Sequence, residues 1–177
     1  MDLLLTHGYN LFEDPHELKV MKPYPPLGIL YLSAYLKRSG FDVQVFDSTF
    51  SNLMEFEAYL ARERPALVGI YTNLMTKFNV LKMIAASKRC GALVILGGPE
   101  PANYVEEYLA RGADVIVIGE GEATLEELTP CLLKNGAHQL DDVTGIAFRR
   151  DGGSIVRAMP RPYIADLDSL PDPDRSA

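Results

Sequence analysis

The residues of this chain best suited to chemistry cluster at glycine-rich turns. Glu100 closes Gly97-Gly98-Pro99-Glu100, and Glu120 and Glu122 alternate with glycine in Gly119-Glu120-Gly121-Glu122. Three carboxylates at such turns admit general acid–base catalysis. They equally fit the N-terminal turns of helices, where the macrodipole and unpaired N–H groups favour negative charge. The histidines His7, His16 and His138 are candidate ligands or bases, with His7 directly after an apolar run and His138 in a polar stretch that reads as solvated. Cys90 and Cys131 stand alone, without CxxC or CxxxCxxC spacing, and read as small semi-buried residues.

The elements that must position these residues alternate strand and helix. Apolar runs at Leu3–Thr6, Asp42–Phe46, Leu67–Tyr71, Leu93–Leu96 and Val115–Ile118 read as buried strands. Helical spacing recurs over Gly28–Lys37, Asn52–Glu63, Lys77–Lys88, Ala102–Ala110 and Thr124–Lys134, and Gly40, Gly112 and Gly136 stop three of these. His7 to Leu27 reads as a long loop. The pattern predicts an α/β fold: a flavodoxin-like, Rossmann-type doubly wound parallel sheet of five strands in the order 2-1-3-4-5. Gly145–Arg150 and Ser154–Arg157 around Asp151-Gly152-Gly153 predict a β-hairpin. The predicted organisation is an α/β domain over 1–140, a hairpin extension over 141–158 and a linker over 159–177, where Pro160, Pro162, Pro171 and Pro173 break up the chain. A disordered tail is the other reading of that last stretch.

In such a sheet ligands bind beyond the carboxyl ends of the strands. The residues there are His7, Gly8, Tyr9 and Asn10, then Leu27 and Gly28, then Thr72, Asn73 and Leu74, and the two glycine turns. Small, amide and hydroxyl side chains dominate, and Lys and Arg are missing, which disfavours a phosphate-dominated ligand. No G-x-G-x-x-G follows the first strand, no Walker lysine is present, and strand three ends in Tyr71-Thr72 where a receiver domain needs aspartate. A formal net charge of −7 argues against nucleic acid. No apolar run reaches the ~18 residues of a membrane span, and Leu3-Leu4-Leu5 after Asp2 makes no signal peptide, so the cytoplasm is the expected compartment.

Four segments in order carry a family likeness: Pro25-Pro26-Leu27-Gly28-Ile29-Leu30-Tyr31-Leu32, Val68-Gly69-Ile70, Leu96-Gly97-Gly98-Pro99-Glu100 and Gly119-Glu120-Gly121-Glu122. Together they resemble the N-terminal cobalamin (B12)-binding domain of B12-dependent radical SAM enzymes, and Pro160–Ile164 with Leu167–Pro171 resembles that family's linker. The resemblance implies cobalamin as cofactor. It also implies a C-terminal radical SAM domain of the same polypeptide as partner, which would hold a [4Fe-4S] cluster and S-adenosylmethionine for methyl transfer or ring remodelling. In the wider fold the nucleotide tail slips between sheet and helix beside Ser-x-Leu after strand three and Gly-Gly after strand four. Thr72-Asn73-Leu74 and Gly97-Gly98 look like those elements, although Thr72 also fits a plain turn or cap.

The resemblance further implies a site of His7, Tyr9, Asn10, Leu27, Gly28, Thr72, Asn73, Leu74, Gly97, Gly98, Pro99, Glu100, Gly119, Glu120, Gly121 and Glu122, binding rather than catalytic. Many members of the wider fold ligate cobalt through Asp-x-His-x-x-Gly. Here Asp14-Pro15-His16 matches and Lys19 departs. His16 is then either a cobalt ligand or an exposed loop residue, and His7, Tyr9 or Asn10 could face the corrin instead. Two alternatives stay open: a flavodoxin-like module for another ligand or partner, and a His-on corrinoid carrier for a separate methyltransferase.

Overall fold

In the computed structural model, which describes residues 1–176, β1 (Leu3–His7) leads through a 3-10 turn at Leu11–Glu13 and a single-turn helix, α1 (Glu17–Val20), to α2 (Leu27–Arg38). Then follow β2 (Val43–Phe46), α3 (Leu53–Glu63), β3 (Leu67–Tyr71), α4 (Lys77–Arg89) and β4 (Leu93–Gly97). After α5 (Pro99–Asn103) and α6 (Val105–Ala110) come β5 (Val115–Val117), α7 (Glu122–Asn135), β6 (Ile146–Arg149) and β7 (Ile155–Arg157). The sheet order is β2-β1-β3-β4-β5-β6-β7, with the first five strands parallel. The 2-1-3-4-5 order read from the sequence is therefore observed. The hairpin joins the same sheet, with β6 antiparallel to β5. Ile146, Ala147 and Phe148 are fully buried there, so the hairpin covers the edge that β5 would otherwise expose.

The strands are apolar on both faces because both are covered. Leu4, Val68, Ile70, Val94, Leu96 and Ile116 pack against α3, α4 and the α5–α6 pair through Phe56, Leu60, Val80, Ile84 and Tyr108. Leu3, Leu5, Leu67, Ile95, Val115 and Val117 pack against α2 and α7 through Ile29, Leu36, Leu125, Leu128 and Leu132. Right-handed crossovers dictate this division: the chain turns left from β1 to β2 and right thereafter.

Local chemistry shifts several boundaries. The helix after β4 begins at Pro99, whose fixed φ suits a first helical position, and it breaks at Tyr104, where ψ is 47°. The sequence periodicity had placed its start at Ala102. Helix α7 runs through Pro130 without ending.

The proline-rich C-terminal segment is tied to the domain. Gly145 N–H donates to the Met159 carbonyl, Ile164 N–H to the Glu120 carboxylate, and the Arg38 guanidinium to the Ser169 carbonyl. Asp174 then seats on α2. Its backbone N–H donates to the Leu30 carbonyl at 3.0 Å, and its carboxylate accepts from Ser33 Oγ at 2.8 Å and Lys37 Nζ at 2.6 Å. The Lys37 ammonium holds this carboxyl well below the usual carboxylate range. Such a group stabilises the fold above the unfolded-state value and loses that contribution as the pH falls. Asp174→Ala is expected to cost about 1–2 kcal/mol at neutral pH, while Asp172→Ala at an exposed neighbour costs less than about 0.5 kcal/mol. Urea midpoints of the two variants measure the difference.

Candidate functional site

Register builds the site row by row. Leu5, Gly69 and Ile95 are cross-strand neighbours on β1, β3 and β4, and their side chains belong to the face covered by α2 and α7. Two residues on, the row at the carboxyl edge is His7, Tyr71 and Gly97. Leu5 and Gly69 form the floor of a slot of about 280 Å³ between sheet and helices, with the Leu5 side chain packed close over the glycine. Gly28, Ile29 and Leu32 of α2 and Leu125 of α7 form its helical wall. Gly97, Gly98, Gly119, Glu120, Gly121 and Glu122 form its rim at the ends of β4 and β5. A second cavity of about 530 Å³ opens above β1 and β3, lined by His7, Tyr9, Leu27, Thr49, Asn73 and Thr76 among others. No Lys or Arg lines either cavity.

Gly98 fixes the turn at the slot mouth. Its φ is +103°, and a Cβ there would lie 2.4 Å from the Thr72 carbonyl oxygen and about 3 Å from the Tyr71 ring. Only glycine allows β3 and β4 to approach so closely at their ends. Gly97 differs: a Cβ there meets nothing within 4 Å, so its missing side chain leaves open space.

His7 is buried and both its ring nitrogens are engaged. The Tyr9 backbone N–H donates to Nδ1 at 3.2 Å, which leaves the proton on Nε2, and that nitrogen lies 2.9 Å from Asp47 Oδ1. Ser48 Oγ, also buried, donates to the His7 carbonyl and reaches the Tyr9 carbonyl at 3.1 Å. This serine–histidine–aspartate grouping is a bracket for the loop after β1. The serine hydroxyl points into carbonyls, and the histidine has no free lone pair. The hydrogen bond from His7, with those from Thr49, lowers the Asp47 carboxyl to about 2.

The structure thus brings His7, Tyr9, Leu27, Gly28, Asn73, Gly97, Gly98, Gly119, Glu120, Gly121 and Glu122 to the two cavities and leaves the other candidates off them. Thr72 is wholly buried, with its hydroxyl 3.4 Å from the Ile70 carbonyl. Leu74 points to solvent. Asn10 packs beside the Tyr9 and Ser48 carbonyls, lining a small cleft near Phe56 and Asn79. Pro99 and Glu100 turn to the opposite face, where the buried Glu100 carboxylate pairs with Lys77 Nζ at 3.0 Å. Lys77 in turn lies over the Tyr104 ring, 4.8 Å from its centroid. Burial and the Glu100 charge push the neighbouring Tyr108 hydroxyl up to about 12. His16 is exposed at the start of α1. His138 pairs at the surface with Asp151. Glu120 both lines the slot and accepts from Ile164 N–H, so its carboxylate anchors the C-terminal segment.

Sequence reasoning read Gly69 only as part of a family segment and did not place Tyr71 or Thr49 in the site. A glycine inside an otherwise apolar strand was the available signal for the first. Among the described residues no group of three or more His, Cys, Asp and Glu is placed to hold a metal ion, and no helix is long and apolar enough to cross a membrane.

The family model of the B12 binding domain matches residues 18–129. The chain belongs to the B12-binding domain family. It is 32% identical over 152 residues to the anaerobic magnesium-protoporphyrin IX monomethyl ester cyclase of a Synechocystis species, covering 81% of this chain and 30% of that protein. It is 30% identical over 159 residues to the uncharacterized methyltransferase PH0819 of Pyrococcus horikoshii, covering 84% of this chain and 33% of that one. The chain spans about a third of the length of these curated relatives. Among solved structures, the cobalamin-dependent S-adenosylmethionine radical enzyme OxsB with aqua-cobalamin and S-adenosylmethionine bound shares the fold, with a TM-score of 0.78 at 21% identity over 97% of this chain and 24% of that one.

The residues of this B12-binding domain suit the family's cofactor. Asn73, Thr76 and Thr49 offer neutral donors and acceptors in the broad cavity, as an amide-rich cofactor would need, and Gly97, Gly98, Gly119 and Gly121 leave bare backbone at the rim of the slot.

Three substitutions test this arrangement. Gly98→Ala is expected to cost about 2 kcal/mol or more in unfolding free energy, whereas Gly97→Ala stays within about 0.5 kcal/mol. Asp47→Ala removes a half-exposed partner, so solvent screening limits the loss to about 1 kcal/mol at pH 7. Because the Asp47 value is depressed, that loss disappears as the pH falls from about 4 towards 2. Chemical denaturation of parent and variant across this range reads the closing gap.

Proposed function

We propose that this chain binds cobalamin across the carboxyl edge of its sheet, as the N-terminal module of a B12-dependent radical SAM protein. The corrin ring lies over the 530 Å³ cavity, and the nucleotide tail enters the 280 Å³ slot. The single observation that carries this reading is the pair of neighbouring cavities at the sheet edge, which share Gly28, Ile29 and Tyr71 in their linings and are free of lysine and arginine. A compact nucleotide would need cationic phosphate contacts, and no lysine or arginine lines these cavities.

Bound cobalamin supplies a cobalt centre that carries a methyl group or exchanges electrons. The chain's own residues hold and orient it. Asn73, Thr76 and Thr49 offer hydrogen bonds to the amide rim, and Leu27, Ile29 and Tyr24 keep water from one side. His7 donates to Asp47 and accepts from Tyr9, so it braces the loop and leaves the cobalt without a histidine nitrogen. Residues 1–140 form the binding unit and 141–158 its edge hairpin. Residues 159–177 lead to the catalytic domain, which holds the cluster and S-adenosylmethionine. That domain carries out methyl transfer or ring remodelling on a substrate this module does not choose. The two free cysteines fit a reducing cytoplasmic setting.

Mixing the purified chain with hydroxocobalamin tests the reading. The expected result is co-elution on gel filtration near one cofactor per chain and a cob(II)alamin EPR signal without nitrogen superhyperfine splitting. Absence of any bound corrinoid would overturn it. Nitrogen splitting that vanishes in His16→Ala would return the assignment to a His-on carrier.

A further inference from the structure

The C-terminal segment crosses the outer side of the two helices that cover one face of the sheet. Arg161 pairs with Glu127 on α7 and reaches the Thr144 carbonyl. Ile164 N–H donates to the Glu120 carboxylate at 2.6 Å, on the rim after β5. The Ser169 carbonyl then accepts from Arg38 at 2.9 Å, and Asp174 is held by Leu30, Ser33 and Lys37 of α2. The segment thus runs from α7, past the rim, to α2. These same parts wall the slot: Gly28, Ile29 and Leu32 face it from α2, Leu125 from α7 and Glu120 from the rim. Glu120 belongs to both, lining the slot while it holds the segment. The two helices also meet directly, where the Tyr35 hydroxyl donates to Glu126 at 2.8 Å, so releasing the segment loosens their spacing and does not part them.

The segment itself is lightly held. No residue from 159 to 176 is buried, and Met159, Tyr163 and Leu167 leave their side chains in solvent. Its hold is a short series of polar contacts, each worth about 1 kcal/mol net. Such a segment opens at a small fraction of the free energy that unfolds the core.

We propose that residues 160–174 are a strap that belts α7 to α2, anchored at Glu120 and Asp174, and that its seating is coupled to occupancy of the slot. Seated, the strap fixes the spacing of the two helical walls and caps the Glu120 carboxylate with an N–H. Released, it leaves the walls free to shift and turns a bare negative charge toward the slot. A ligand that fills the slot therefore favours the seated strap, and the coupling is reciprocal. This inference rests on the cobalamin reading and adds a device by which the end of the chain senses whether the cofactor is in place.

The test uses the 177-residue chain with hydroxocobalamin and reads both directions of the coupling. Amide hydrogen exchange at Ile164 and Asp174, followed by NMR, is expected to slow about fivefold or more when the chain is saturated. In equilibrium ultrafiltration, Asp174→Ala and Glu127→Ala cut opposite ends of the strap, and neither residue lines the slot or the broad cavity. Each is expected to lower affinity about fivefold or more. Asp172→Ala changes an exposed strap residue and is expected to stay within about twofold of the parent. Thermal melts without ligand check that each variant keeps the fold. Exchange that the cofactor leaves unchanged or speeds up, or affinity unchanged in either end variant, would overturn the strap and leave the cobalamin reading standing. A parent chain that retains no hydroxocobalamin would overturn both.

Discussion

The structure depends on the seam between β1 and β3, where the winding of the chain reverses. These strands pair side by side, but the connection from β1 departs through α2 on one face and that from β3 through α4 on the other. No helix can cover the strand ends at that point. An α/β chain of this topology must carry an uncovered edge, and everything functional here is built around it.

Regular register turns that edge into two chambers of different width. Successive residues of β3 alternate between faces, so Gly69 and Tyr71 point to the same helices while Val68 and Ile70 enter the opposite core. Gly69 lies one row down, where the Leu5 side chain packs over it, and the Tyr71 ring stands at the edge. The same arithmetic puts Gly97 beside Tyr71 and Ile95 beside Gly69. Gly98 lets β4 close against the end of β3 with no side chain between them.

Several charged side chains near the sheet edge are committed to partners within the protein. His7 is spent on Asp47, Glu100 on Lys77, and Glu120 on the Ile164 N–H. Each pairing pins a loop that forms the site, so the charges act as braces. The walls combine amides, hydroxyls and apolar groups with the carboxylates Glu17, Glu120 and Glu122 and no lysine or arginine, a lining poorly suited to free phosphate.

The sequence alone determined the alternation of strands and helices, the strand order and the glycine turns after β4 and β5, because buried parallel strands and turn glycines are local signals of composition and spacing. Family likeness, read from four short segments, pointed to the cofactor. Tertiary structure decided which way each polar side chain faces. Glu100 looks like its neighbours in the turn, yet a helix starting at Pro99 turns it to Lys77. His7 finds Asp47 and Ser48 across the pairing of β1 with β2, some forty positions away. The proline-rich end of the chain reads as a linker, but Asp174 meets Ser33 and Lys37 only once α2 exists as a surface. Tyr71 gave no signal in a strand because an aromatic residue is ordinary there. Only register sets it beside Gly97 at the carboxyl edge, where it lines both cavities, since a side chain's surroundings are set by neighbours that sequence distance hides.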